Sequence, residues 1–327
     1  MIFKIQNSKI LVLILLFIFS CERNPEIPIT IDRMEQTLFT LPVDSISEYI
    51  PQLQQRYDDL LLELSLEIGI ATPDAPQYPE ELAGFITYPD MQFTYERVME
   101  IYPDLKELER GFGRAFYNYG RIFPDRAIPS IFTLISGFNS KGYVTNNILA
   151  ISLEHYLGRD EEIYLRLMMP GYERYLKDRK YLLPDCMSEW ISYQFPFNDS
   201  INNVLANILY HGKIKYAVNQ LLPATPDSIL FGYSPAQMRW CRNNTAQMYT
   251  FLIENRLLFS TDQFTINKLV GHAPFTSTFT SESPGRASIW LGYRIIAAYM
   301  KREKVSLEEM LLNNDYQQIL HKAKFRP

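Results

Sequence analysis

Few residues in this chain are equipped for chemistry: 327 residues include four histidines and three cysteines. A zinc peptidase of the common type needs two histidines one helical turn apart. Both imidazoles then share a face, and the intervening glutamate polarises the bound water. Here His155, His211, His272 and His321 fall in four separate segments. Ser188-Glu189-Trp190-Ile191-Ser192 keeps a glutamate in a helical pattern but carries serine where both histidines would stand. Neutral hydroxyls bind zinc weakly beside imidazole or thiolate. No Gly-x-Ser-x-Gly elbow, phosphate loop or dinucleotide fingerprint is present. Asp160-Glu161-Glu162 are adjacent, and neighbouring side chains diverge on a helix, so the run reads as a charged turn or helix start. Cys186 and Cys241 sit at apolar positions of helical patterns and read as buried thiols, a bridge between them being chemically open outside the cytoplasm.

The elements that must position these groups are mostly helical. Ile50, Leu53, Tyr57, Leu61, Leu64 and Ile68 recur at three- and four-residue steps, as do Leu105, Leu108, Phe112, Ala115, Phe116 and Tyr119. Pro51 falls early in the first stripe and is expected to reset its start. Short β-favouring runs cover Ile131–Ile135, Tyr143-Val144 and Ile148–Leu153, and they predict a small sheet. Helical spacing then resumes over Asp185–Gln194 and from Ile201 to Leu221, the latter with an expected break near Gly212. Ser234-Pro235-Ala236-Gln237 has capping-box form, and Ser283-Pro284 is expected to open a last long helix. Tyr164, Tyr172, Tyr175 and Tyr181 interleave with Arg166, Arg174, Arg179 and Asp178, the mixture of a solvated or partner-facing surface. With β signal confined to the middle, the expected class is a single α+β domain, predominantly α-helical.

Net charge is -5 with no basic block, a poor basis for binding nucleic acid. Lys4 and Lys9 precede an unbroken apolar run, Ile10–Phe19. As a helix it would be roughly 15 Å long, half of a bilayer core, so it reads as a secretory signal. It ends Ile18-Phe19-Ser20-Cys21, which resembles a bacterial lipobox. The expected organisation is a lipoprotein signal peptide over 1–20, a tether over 21–31 beginning at a lipidated Cys21, and one domain over 32–327.

The second half resembles a known family. Asn147-Ile148-Leu149-Ala150-Ile151-Ser152-Leu153-Glu154-His155-Tyr156-Leu157-Gly158, Met169-Pro170-Gly171-Tyr172, Gly232-Tyr233-Ser234-Pro235-Ala236-Gln237 and Ser283-Pro284-Gly285-Arg286 occur in the order found in the gliding-motility lipoproteins called GldB, of Bacteroidota. The resemblance implies an anchored, periplasm-facing envelope protein that works through protein partners in gliding-motility or secretion-related machinery. It also implies a remote likeness to zincin-type peptidases. On that correspondence the strand hairpin is 131–153, the metal helix is 185–194, and His211 stands where a glutamate ligand would be. Every usual ligand is then replaced, so no metal, cofactor or catalytic residue is expected. The candidate site is a cleft between the sheet and the Glu189 helix, drawing on Glu154, His155, Asp185, Glu189, His211, Arg239 and Arg286. Two alternatives remain at this level. One is a cryptic hydrolase using Glu154, Asp185 and Glu189 with His155 or His211. The other is a peptide- or glycan-binding module anchored by Trp240 or Trp290.

Overall fold

A computed structural model describes residues 25–327; the expected signal peptide and Cys21 lie outside the described residues. The fold is α+β and predominantly helical. Its longer helices are α1 (Ile46–Tyr57), α2 (Asp59–Ile68), α3 (Tyr78–Thr87), α4 (Pro89–Ile101), α5 (Lys106–Ile122), α6 (Leu182–Gln194), α7 (Val204–Leu221), α8 (Pro235–Asn243), α9 (Thr245–Glu254), α10 (Gln263–Val270), α11 (Ala287–Glu303) and α12 (Tyr316–Ala323). No helix among the described residues is long and apolar enough to cross a membrane.

Four strands form one mixed sheet, β1 (Ile31–Arg33), β2 (Ser130–Leu134), β3 (Gly142–Val144) and β4 (Ile148–Ser152), in the order β1-β2-β4-β3. β1, β2 and β4 run parallel, with Ile31 beside Ile131 and Ile131 beside Leu149. β3 turns back antiparallel on the outer edge, Tyr143 facing Ala150. Gly142 makes that hairpin possible: its φ is +147°, and a Cβ there would lie 2.0 Å from the Ala150 carbonyl oxygen.

The apolar stripes are buried as their spacing predicts, but three of the predicted boundaries are not kept and one break is new. The first stripe is two helices, broken where Asp58 adopts φ +39°. Pro51 lies inside α1 and does not reset its start. The pattern from Ile201 to Leu221 does not break at Gly212; α7 runs through it, and Gly212 instead lets α7 and α11 touch backbone to backbone. Ser283-Pro284 does not start α11. Ser283 Oγ is spent on the Thr276 loop, and the helix begins four residues later, at Ala287. The capping box at Ser234 is formed.

The expected tether over 21–31 is docked from Pro25 onward. Ile27 N–H donates to the Gly113 carbonyl at 3.2 Å, Glu26 pairs with Arg114 at 3.5 Å, and Ile31–Arg33 is the edge strand β1. Buried Glu35 then locks this segment beneath the sheet, accepting from Arg33 Nε at 2.7 Å and Thr133 Oγ1 at 2.8 Å. The tyrosine–arginine run divides: Tyr164 and Tyr181 are core residues, whereas Tyr172 and Tyr175 stay half exposed.

Candidate functional site

A continuous groove separates β3 from α6 and runs on between α6, α7 and the start of α11. The part beside β3 encloses about 470 Å³ and is walled by Lys141, Val144, Asp185, Glu189 and Ser192, among others. A middle part of about 310 Å³ shares Lys141, Asp185, Glu189 and Ser192 and adds His211, Lys215, His272 and Arg286. Past Arg286 it opens into a recess of about 410 Å³ lined by Tyr172, Tyr175, Phe231 and Tyr233. Helical geometry sets this layout. Asp185 and Glu189 are four apart on α6, Ser188 and Ser192 likewise, and His211 and Lys215 likewise on α7, so each pair shares a face.

Charge is distributed unevenly along the groove. Asp185 accepts from Lys141 Nζ at 2.8 Å and from the Tyr156 hydroxyl at 3.1 Å, keeping 29% of its side chain exposed. Burial opposes its charge, but Lys141, Lys215 and Tyr156 outweigh burial and hold the carboxyl below the usual range. Glu189, at the groove's mouth, has neither ion pair nor hydrogen bond among the described residues. Partial desolvation and then the Asp185 charge push it upward, against Lys141, Lys215 and Arg286. Desolvation, with the surrounding cations, pushes Lys215 down to about 8, His272 to about 4 and His211 to about 3. Both imidazoles are therefore neutral at pH 7. Three cations, Lys141, Lys215 and Arg286, face two carboxylates, and among the described residues only Lys141 forms an ion pair.

The sequence-selected residues divide into three groups. Asp185, Glu189, His211 and Arg286 converge on the groove. Glu154 and His155 do not; they are buried beyond the end of β4. Glu154 Oε1 accepts from Ser136 N at 2.7 Å, Ser136 Oγ at 2.8 Å and Phe138 N at 3.3 Å, while Oε2 has no partner. Burial lifts this carboxyl to about 7 despite those bonds. His155 Nδ1 meets Lys177 Nζ, and desolvation with that ammonium lowers the imidazole to about 2. Arg239 is exposed on α8 and lines no part of the groove: the residues flanking it, Met238 and Trp240, turn inward instead.

Sequence reasoning missed Lys141, Tyr156, Lys215 and His272. Lys215 alone had a local signal, its place one turn after His211. Trp290 is buried and donates its indole N–H to Thr245 Oγ1 at 3.0 Å, and Trp240 is half-buried, so neither stands free as an aromatic platform. Cys186 and Cys241 are buried, unbridged thiols.

The positions that a zincin-like correspondence assigns to metal ligands carry Ser188, Ser192 and His211. Lys215 Nζ donates to Ser188 Oγ at 3.4 Å, setting an ammonium among those positions. Among the described residues no three His, Cys, Asp or Glu side chains converge as a metal site would require. A divalent ion there would meet two neutral hydroxyls and a single imidazole beside an ammonium, a donor set that does not fit it.

These features define a helical α+β domain built around a groove of mixed charge. Residues 21–327 match the family model described as Gliding motility protein GldB, and the chain belongs to that family. No curated protein and no solved structure matches the chain.

Proposed function

We propose that this GldB-family protein is held in the cell envelope by lipid on Cys21, faces the periplasm, and works without catalysis by seating an extended segment of an envelope partner in its groove. The process served is gliding motility or secretion-related machinery. Support for the anchor is the apolar leader ending at Cys21 together with a family match that starts there. A diacylated, N-acylated cysteine is a lasting anchor, each buried CH₂ adding about 0.8 kcal/mol.

The observation that carries the groove reading is its open edge. Ladder bonds to β4 use Lys141, Tyr143 and Thr145, so the backbone groups of Val144 turn away from β4 on the groove side. Such an edge offers main-chain hydrogen bonds to a strand-like partner, while charged side chains beside it select among partners. On the zincin-like correspondence, Lys215, which donates to Ser188 Oγ at 3.4 Å, would set an ammonium where a catalytic ion would stand.

The test combines two labels in cells. Radiolabelled palmitate should enter the wild-type chain and not Cys21→Ala. A photo-crosslinking amino acid at Ser192, on the groove wall, should capture a defined envelope protein, and one at exposed Arg302 should not. Capture that is indifferent to position would end the groove reading.

A second reading rests on Glu189, the unpaired carboxylate of the groove, acting as the base of a hydrolase. Stoichiometric zinc lost together with a measurable hydrolytic activity in Glu189→Gln would carry that reading instead.

A further inference from the structure

Arg286 combines backbone strain with an unsatisfied buried donor. Its backbone is left-handed (φ +61°, ψ 25°), a conformation that costs a non-glycine residue, and it stands immediately before the 17-residue helix α11. Its Nε is buried without a partner, and Nη1 lies 3.2 Å from His272 Nε2, a neutral imidazole. Neither Arg286 nor Lys215 forms an ion pair among the described residues, although both line the same cavity. Asp185 and Glu189 line the same cavity and favour both charges, but neither carboxylate reaches Arg286 or Lys215 as an ion pair, so the guanidinium keeps donors free for an incoming anion.

We infer that Arg286 and Lys215 form a seat for the terminal carboxylate of a peptide, with the peptide's last side chain entering the recess of Tyr172, Tyr175 and Tyr233. This rests on the reading of the groove as a peptide site and names the end of the segment it takes. A guanidinium meets a carboxylate with two parallel N–H donors, and the lysine adds a third. The recess beside it is aromatic and roomy, suited to a large apolar final residue. The same groove disfavours a multiply charged anion more than a singly charged one. Asp185 and Glu189 line it next to the seat, so a phosphate dianion or an acidic polysaccharide would run past two carboxylates, whereas a peptide presents one negative charge at its end.

The experiment uses the intact lipoprotein in detergent micelles and an array of synthetic nine-residue peptides, randomised at the last two positions. Each is made both as free acid and as amide; oligogalacturonate and inorganic phosphate are added as separate probes. Free acids ending in a large apolar residue should bind, and their amides should bind roughly 10- to 150-fold more weakly, the usual loss for a hydrogen bond to a charged group. Arg286→Asn suits the left-handed backbone, so it should keep or raise the melting temperature while erasing the acid-over-amide preference. Lys215→Met should reduce that preference and serves independently if the Asn variant does not fold. Equal binding of acids and amides overturns the carboxylate seat and leaves the groove reading standing. Retention of oligogalacturonate or phosphate in an Arg286-dependent way, without peptide, overturns the peptide assignment. Binding of no peptide in either form overturns both.

Discussion

The contact between α7 and α11 predicts that one substitution changes sign with position. In an exposed helix, Gly→Ala stabilises by about 1 kcal/mol, because alanine gives up less backbone freedom on folding. Gly84, on the exposed face of α3 with nothing within 4 Å of a built Cβ, should behave in this way. Gly212 should do the reverse. A Cβ there would lie 2.4 Å from the Gly292 carbonyl carbon and 2.6 Å from the Tyr293 nitrogen. Both neighbours are backbone, so no rotamer change relieves the overlap, and the helices must separate by about 1 Å to restore ordinary van der Waals distance. Overpacking costs about 1–3 kcal/mol, and a gap of that size along two buried helix faces forfeits a quarter to a half of the affected dispersion contacts. Both overlaps are with backbone, so the cost belongs at the top of that range; set against a propensity gain of about 1 kcal/mol, Gly212→Ala should be destabilising by a net of about 2 kcal/mol. Urea denaturation of wild type, Gly84→Ala and Gly212→Ala measures all three on one scale. A Gly212→Ala variant as stable as wild type would refute the close contact and the groove geometry built on it.

Other outcomes follow from single groups. Glu154, raised by burial to about 7, stabilises the fold fully below its unfolded value near 4.5, and that contribution is lost as pH rises through about 7. His155, lowered to about 2, runs the opposite way below its ordinary 6.5, so the quantity to measure is the difference between wild type and Glu154→Gln. That difference should shift against wild type by up to about 3 kcal/mol between pH 4.5 and pH 8, and a flat difference in urea titrations would contradict it. Lys215, desolvated to about 8, should be acetylated by limiting acetic anhydride at pH 8 ahead of fully exposed lysines; peptide mass spectrometry reads the order. Gly113→Ala would put a Cβ 2.5 Å from the Ile27 carbonyl oxygen and should expel the segment before β1. Faster cleavage after Glu26 by a glutamate-specific protease, at nearly unchanged melting temperature, is the expected sign.

What the sequence made legible follows from the range of each interaction. The buried faces of α1, α2 and α5 could be read because they depend on neighbours three and four residues away. The break at Asp58 could not, since the apolar stripe passes unbroken through both helices. β1 was hidden because Ile31–Arg33 is only three residues long and becomes a strand through pairing with β2, about a hundred residues later. Gly212 looked like a helix breaker because its reason for being glycine lies on another helix. In the site, Asp185, Glu189 and His211 could be placed together from helical spacing and the family resemblance. Lys141 and His272 could not, since lysine and histidine in loops carry no periodic signal. Glu154 and His155 were misplaced for a related reason: they directly follow a strand that walls the groove, yet the chain turns into a short helical segment at Leu153–Tyr156 and carries both inward.

The close helix crossing and the charged groove are one piece of architecture. Gly212 lies between His211 and Lys215, and its partner Gly292 is six residues after Arg286, so the contact that brings α7 against α11 also sets how far Lys215 stands from Arg286. Arg286 stands in a left-handed conformation at the start of α11, so the seating of α11 on α7 decides where its guanidinium lies relative to Lys215, Asp185 and Glu189. The crossing therefore fixes the backbone from which Arg286 reaches into the groove. It follows that Gly292→Ala, whose Cβ would lie 2.0 Å from the Ile208 carbonyl oxygen, should weaken carboxylate capture even in molecules that remain folded. Arg286→Asn should remove the capture and relieve the fold. A groove whose stability improves when its central arginine is removed is one kept for binding rather than for cohesion.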